Sequence, residues 1–151
     1  MDDAAPRSRE ERKRDVLARF EQDVDAWVST ASAAGEPYLL PLSFLWHEGE
    51  LLFSTDERSL TARNLRESPS VHVGIGLTRD VVLVSGVARL VPMSELPVEL
   101  GDAFAAKVGF DPRSSDGTYV YVFVRPIRIR AWREVDELAG QVVMKDGTWV
   151  V

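Results

Sequence analysis

The segment TYVYVFVRPIRIRAW, residues 118–132, constrains the fold more than any other stretch of the chain. Successive side chains of an extended strand point to opposite faces, so Tyr119, Tyr121 and Phe123 share one face and Val120, Val122 and Val124 the other. Both faces are apolar, so both must be covered. Pro126 has no amide proton to give a ladder, and the strand has to bend or lie at an edge there. A chain of 151 residues can supply the cover, since a fold of this size removes roughly 70% of the surface that its unfolded chain exposes.

Shorter runs of the same kind surround it. From Trp27, WVSTAS, PYLLPLSFLW and ELLFST are separated by AAGE and HEGE, each with a turn glycine, which predicts three consecutive antiparallel strands. SVHVGIG and VVLVSGVARLV predict two more, joined through Thr78–Asp80, and Asp146-Gly147 between apolar arms predicts a closing hairpin. Gly74, Gly76 and Gly86 fall inside strands, where glycine marks a bulge, a barrel corner or the close approach of a ligand. Ser8–Glu11 has capping-box spacing ahead of Val16, Leu17, Phe20 and Val24 at helical spacing. A second, short helix carries Leu60, Ala62 and Leu65, with Ser59 as N-cap and Pro69 just past its end; a third spans SELPVELGDAFAAKVGF, with Ser94 capping and Pro97 in its first turns. Residues 1–15 read as a polar N-terminal tail or a helix start, with 1–7 open to fraying, and 16–151 as a single domain. Six or seven short strands with two or three short helices, without strand–helix alternation, predict a mainly β (α+β) antiparallel barrel and not a doubly wound sheet.

Composition narrows the chemistry. Eighteen Lys and Arg against twenty-four Asp and Glu give a net charge of -6, which argues against a nucleic-acid partner and against an oligonucleotide-binding barrel. The absence of cysteine removes disulfides, thiolate metal sites and cysteine nucleophiles, and fits a cytoplasmic protein. His47 and His72 are too few for an all-histidine zinc site, and no metal site is expected. The N-terminus lacks the apolar run of a secretory signal, and no stretch approaches the ~18 apolar residues of a membrane span, so no membrane association is expected. Gly74-Ile75-Gly76 lacks the third glycine and following helix of a dinucleotide fingerprint. No serine sits in a nucleophile-elbow spacing, and no side chain is singled out as a catalytic acid or base. His47 adjoins a turn; His72 alternates with Val71 and Val73 and points to solvent or into a cleft. Any chemistry is therefore expected to come from a bound cofactor.

The stretch FSTDERSLTARNLRESP, Phe53–Pro69, runs from a strand end into a helix N-terminus, where unpaired amides and the positive end of the helix dipole gather. Arg58, Ser59 and Thr61 lie in or just before the first turn, Arg63 is four residues from Ser59, and Thr55 ends the strand. Two guanidiniums and these hydroxyls can wrap a phosphate; an ordinary capped helix with solvated arginines remains open on spacing alone.

The order of elements, together with GEPYLLPLSFLW, STDERSLTARNLRESPSVHVGIG and RIRAWREVDELAGQVVMKDGTW, resembles the pyridoxamine 5'-phosphate oxidase-like split-barrel flavoprotein superfamily, which includes deazaflavin-dependent reductases. The resemblance runs from Val24 to Val151. It implies an antiparallel split β-barrel and a homodimer that binds FMN, or alternatively a deazaflavin coenzyme, at its interface. The implied activity is hydride transfer to or from a small substrate; a non-catalytic flavin or haem carrier or sensor is the alternative. It places Thr55, Arg58, Ser59, Thr61, Arg63 and Asn64 at the phosphate and Leu40, Pro41, Leu42 and Ser43 along the ring, with Trp132 coming from the partner subunit or the interface. Many relatives carry lysine where this chain has Thr61, so Arg58 or Arg63 must supply that charge. The substrate-binding arginine and histidine pattern of pyridoxamine-phosphate oxidases has no clear match, and pyridoxamine phosphate is not the expected substrate.

Energetics favour a second copy. Micromolar binding needs about 8 kcal/mol, whereas two charge-assisted phosphate bonds and a helix terminus give about 3 to 7. The remainder must come from burying the ring, and a small barrel filled by its own side chains has no room inside. Trp27, Trp46, Trp132 and Trp149 are candidate walls for a groove that a second subunit completes.

Overall fold

The structure is a computed structural model that describes residues 4–151; residues 1–3 of the expected polar tail lie outside the described residues. Helix α1 (Arg9–Gln22) leads to β1 (Asp25–Ala31), β2 (Pro37–Ser43), β3 (Leu45–His47) and β4 (Glu50–Asp56). Helix α2 (Leu60–Glu67) precedes β5 (Ser70–Ile75) and β6 (Val81–Pro92); α3 (Val98–Val108) precedes β7 (Tyr119–Trp132), β8 (Val142–Lys145) and β9 (Thr148–Trp149). Every pairing is antiparallel, in the order β2-β1-β5-β6-β7-β4-β3, with β8 on β7 and β9 on β8. This is a mainly β (α+β) split barrel.

The long strand is covered on both faces. Tyr121 and Phe123 meet Leu52 of β4 and Leu96, Leu100 and Phe104 from the α3 region, with the Phe104 ring edge-on to Tyr121 at 5.6 Å. Val122 and Val124 join Val28, Phe44, Phe53 and Val73 in the barrel core, where Val16 and Phe20 of α1 close one side. Pro126 falls where β7 changes neighbours: β4 pairs with it as far as Val124, and β8 from Ile129. The missing amide is therefore tolerated in a strand that is not at an edge, and the β6 register shifts between Ser85 and Gly86, opposite the proline. A Cβ on Gly86 would lie 2.7 Å from Val124 Cγ1 and 2.8 Å from the Arg125 carbonyl, so glycine is required at this bend.

Nine strands stand among the described residues in place of the six or seven expected. PYLLPLSFLW is broken at Phe44, whose amide makes the last bond in the β1–β2 register, to Val24 O at 2.8 Å, and whose ring is fully buried; from Leu45 the chain pairs with β4 instead. The arms of the Asp146-Gly147 hairpin also count separately, as β8 and β9. That turn and the Glu48-Gly49 turn have positive φ at both residues, the two-residue geometry that suits twisted strands. Ser8 and Glu11 form the expected reciprocal capping box, and Ser59 caps α2 through Ala62 N at 3.1 Å. Ser94 does not cap α3. It lies in a separate 3₁₀ turn, Met93–Glu95, and Pro97 precedes the helix at Val98 without a side-chain cap. No helix among the described residues is long and apolar enough to cross a membrane.

Helix α1 is fastened by buried charge. The Arg12 guanidinium donates to the carbonyls of Ala131, Glu137 and Ala139 at 3.3, 2.8 and 3.3 Å. The buried Glu137 carboxylate accepts from Arg7 Nη2 and Nε at 2.8 and 3.0 Å and from the Arg133 amide at 3.0 Å. The Arg7 hydrogen bonds, above all, hold the Glu137 pKa down from the ordinary 4.5 to about 2. A carboxyl with a lowered folded-state pKa contributes stability that is fully present above its ordinary value, and that contribution is lost as pH falls from 4.5 toward 2. Glu137→Gln removes the carboxylate that takes Arg7 Nε and Nη2 and leaves Arg7 with Asp15, 2.9 Å from Nη1, and its expected cost in urea unfolding at neutral pH is about 2 kcal/mol. The gap from wild type should narrow as the pH approaches 2; an undiminished gap would show that the carboxylate charge is not what holds the helix.

Candidate cofactor site

Strand β4 hands the chain to α2 through a tight polar turn. Asp56 Oδ1 accepts from the Arg58 amide at 2.8 Å, and the Thr55 and Ser59 hydroxyls are 2.9 Å apart. The first intrahelical bond of α2 runs from Arg63 N to Ser59 O, so the amides of Leu60 and Thr61 precede it at the positive end of the helix.

The residues expected at the phosphate fall into two layers. Arg58, with 78% of its side chain exposed, and Arg63 face solvent, with Ser59 half-buried between the layers. Thr55, Thr61 and Asn64 are buried. Asn64 Nδ2 donates to the buried Thr30 Oγ1 at 3.1 Å, which fastens α2 to β1 and turns the amide away from the outer layer. The Thr61 hydroxyl is buried with no partner among the described residues, an unused hydrogen-bonding group directly beneath the first turn. Arg66 escaped the sequence reading. Its Nη1 reaches back to the Glu57 carbonyl at 2.6 Å, bringing a second guanidinium to the turn; its only sequence signal is its place three residues after Arg63. Asp56 opposes this positive set, and the Arg58 amide and guanidinium hold its carboxyl below the usual range, so it stays anionic. The Arg58 and Arg66 guanidiniums, the Ser59 hydroxyl and the helix terminus fit a phosphate group in the outer layer, with Arg63 exposed on the same helix.

The residues expected along the ring also divide. Leu40 and Leu42 pack on the barrel core, whereas Pro41 is exposed on the opposite face of β2, and Ser43 Oγ donates to Asp25 Oδ1 at 2.6 Å. Beside them a cleft of about 320 Å³ is lined by Pro41, Leu42, Ser43, Ser54, Phe104, Val108, Phe110 and Tyr119. Ser54 of β4 lines the cleft, and the strand runs on through Thr55 and Asp56 into the α2 turn. Trp132 lies at the far end of β7, with β1, β5 and β6 between it and β2, so one chain does not bring it to the other residues. The outer face of those strands holds a groove of about 350 Å³ into which His72 points, alongside Trp27, Leu39, Gly74 and Arg130. Trp27 and Leu39 are 54% and 58% exposed there.

The profile of pyridoxamine 5'-phosphate oxidase matches residues 13–133. The chain belongs to the pyridoxamine 5'-phosphate oxidase family. No protein with a curated description matches it. Among solved structures, an F420 reductase is 18% identical over 74% of this chain and 93% of its own, with a TM-score of 0.63. A pyridoxamine 5'-phosphate oxidase-related, FMN-binding protein from Nostoc punctiforme is 17% identical, covering 81% of this chain and 78% of its own at a TM-score of 0.53. The haem-storage protein HutZ from Vibrio cholerae is 16% identical over 76% of this chain and 89% of its own, at 0.65. At these identities the likenesses show the family's fold.

If Asp56 is the counter-charge in the turn, Asp56→Asn keeps the hydrogen bond to the Arg58 amide and removes the repulsion. Calorimetric titration with FMN should then show affinity raised about two- to five-fold; weaker binding would mean that the carboxylate organises the turn more than it opposes the anion.

Proposed function

We propose that the protein is a cytoplasmic flavin-dependent oxidoreductase that binds FMN at a homodimer interface and transfers hydride to or from a small substrate. The observation that carries the proposal is the placing of Arg58 and Arg66 with Ser59 at the turn before α2, with Arg63 exposed on that helix, in a chain of the pyridoxamine 5'-phosphate oxidase family. FMN, when bound, would supply the hydride chemistry. The chain's own residues bind and orient: the guanidiniums and the helix terminus hold phosphate, and the β2 segment Leu40–Ser43 lies beside the ring. No side chain is required as an acid or base. A deazaflavin coenzyme is the second reading, supported by the likeness to the F420 reductase. A haem carrier, which the printed name of HutZ suggests for that protein, has less support, since no histidine lines the turn or the cleft beside it.

The dimer is supported by the sheet order. With β2-β1-β5-β6-β7 across the outer face, a two-fold axis above that face and parallel to β5 would lay β7 of one copy over β2 of the other, bringing the second copy's Trp132 to the ring segment. The same axis would cover the exposed Trp27 and Leu39.

Two experiments test the proposal. Arg58→Ala/Arg63→Ala should be purified without bound cofactor and bind added FMN at least about ten-fold more weakly; unchanged occupancy removes the assignment of the turn. Trp27→Glu places a charge in the proposed interface. Sedimentation velocity should show a shift toward monomer, accompanied by loss of FMN affinity, and a dimer that persists with wild-type affinity would place the interface elsewhere.

A further inference from the structure

The cleft between β2, β4 and α3 is built as a binding wall, and its chemistry is specific. Helix α3 ends at Gly109, in the left-handed conformation with φ 74°, where the chain turns out of the helix. Nothing lies within 4 Å of where a Gly109 Cβ would sit, so the glycine serves the turn and not a close contact. The turn delivers Phe110 against Tyr119, with ring centroids 5.4 Å apart and an interplanar angle of 61°. Phe110 nevertheless stays 45% exposed.

The segment that follows is pinned. Arg113 donates to Asp111 Oδ1 at 2.9 Å, to Asp102 Oδ1 at 2.8 Å and to the Val98 carbonyl at 3.3 Å, which ties the segment after α3 back to the first half of that helix. The guanidinium lies against Gly101, where a Cβ would meet Nη1 at 2.6 Å. An exposed aromatic wall is thus held in place before anything binds, the condition under which an apolar cleft keeps the entropy cost of binding low.

No lysine, arginine or histidine lines the cleft, and its polar groups are the hydroxyls of Ser43, Ser54 and Tyr119. Asp25 stands behind Ser43 at 2.6 Å. Lys107, on the same helix, commits its ammonium to the Phe20 carbonyl at 3.0 Å. An anion entering the cleft would lose its hydration with no cation to replace it. We infer that this cleft is the substrate pocket of the proposed cofactor site and that it takes an uncharged aromatic or alicyclic molecule, not a phosphorylated one. The inference rests on the proposed function for the word substrate; the preference for an uncharged ring stands on the lining alone.

The test uses the full chain with 2-naphthol as the neutral probe and 2-naphthyl phosphate as the anionic one, each titrated with and without FMN while amide shifts are followed by NMR. The expected result is saturable 2-naphthol binding that moves the amides of Val108, Phe110 and Tyr119, with 2-naphthyl phosphate binding at least about ten-fold more weakly. Phe110→Ala should weaken 2-naphthol about three- to ten-fold, the worth of an aromatic wall, and Phe110→Arg should narrow the gap between the probes. Failure of 2-naphthol to bind, its displacement by FMN from the cleft, shifts confined to the Trp27 groove, or indifference to Phe110→Ala overturns the inference. If 2-naphthol binds as expected but FMN does not bind at all, the preference for an uncharged ring holds and the cofactor proposal falls. If FMN binds and 2-naphthol does not, the pocket falls and the cofactor proposal is untouched.

Discussion

The two-sided burial of β7 is the constraint on which the rest of the structure depends. One face of the strand feeds the barrel through Val122 and Val124, and the other carries the α3 layer through Tyr121 and Phe123. On one edge β6 stays with the strand from Val120 to Trp132, while on the other β4 gives way to β8, and Pro126 marks where that exchange takes place. The α3 layer, in turn, overhangs β4 and forms the cleft next to the α2 turn, so both parts of the candidate site follow from how one strand is covered.

Features with a local cause were legible in the sequence. The Ser8–Glu11 box, the Ser59 cap, the glycine turns at Gly49 and Gly147 and the alternation along residues 119–124 all need only near neighbours to act. What was not legible depends on partners far along the chain. Phe44 breaks an apolar run because the barrel core takes its ring and Val24 takes its amide. Arg12 and Glu137 look like surface charges in the sequence, yet they are buried where α1 meets the end of β7. Asn64 sits among phosphate-binding candidates by spacing, and Thr30, on another element, is what turns it inward. Arg66 is brought back to the turn by a carbonyl, which leaves no pattern in residue types.

The chain carries a net charge of -6, yet Arg58 and Arg66 stand at the turn before one helix and Arg63 is exposed on it. Asp56 partly neutralises them and keeps the turn folded without an anion present. With threonine at position 61, the positive charge of the turn rests on exposed arginines, whose hold on a phosphate, in the proposed complex, would be weaker and more sensitive to salt. In the proposed complex such a turn would contribute a few kcal/mol and leave the larger share of affinity to burial of the ring, so that occupancy would depend on a second copy of the chain.

Equilibrium titration of the purified protein with FMN and with riboflavin, which lacks the phosphate, tests this account most directly. The account predicts that FMN binds at least about ten-fold more tightly at low ionic strength, with the difference shrinking as salt is added. Equal affinity for the two, at any salt concentration, would contradict it, because the α2 turn would then hold no phosphate.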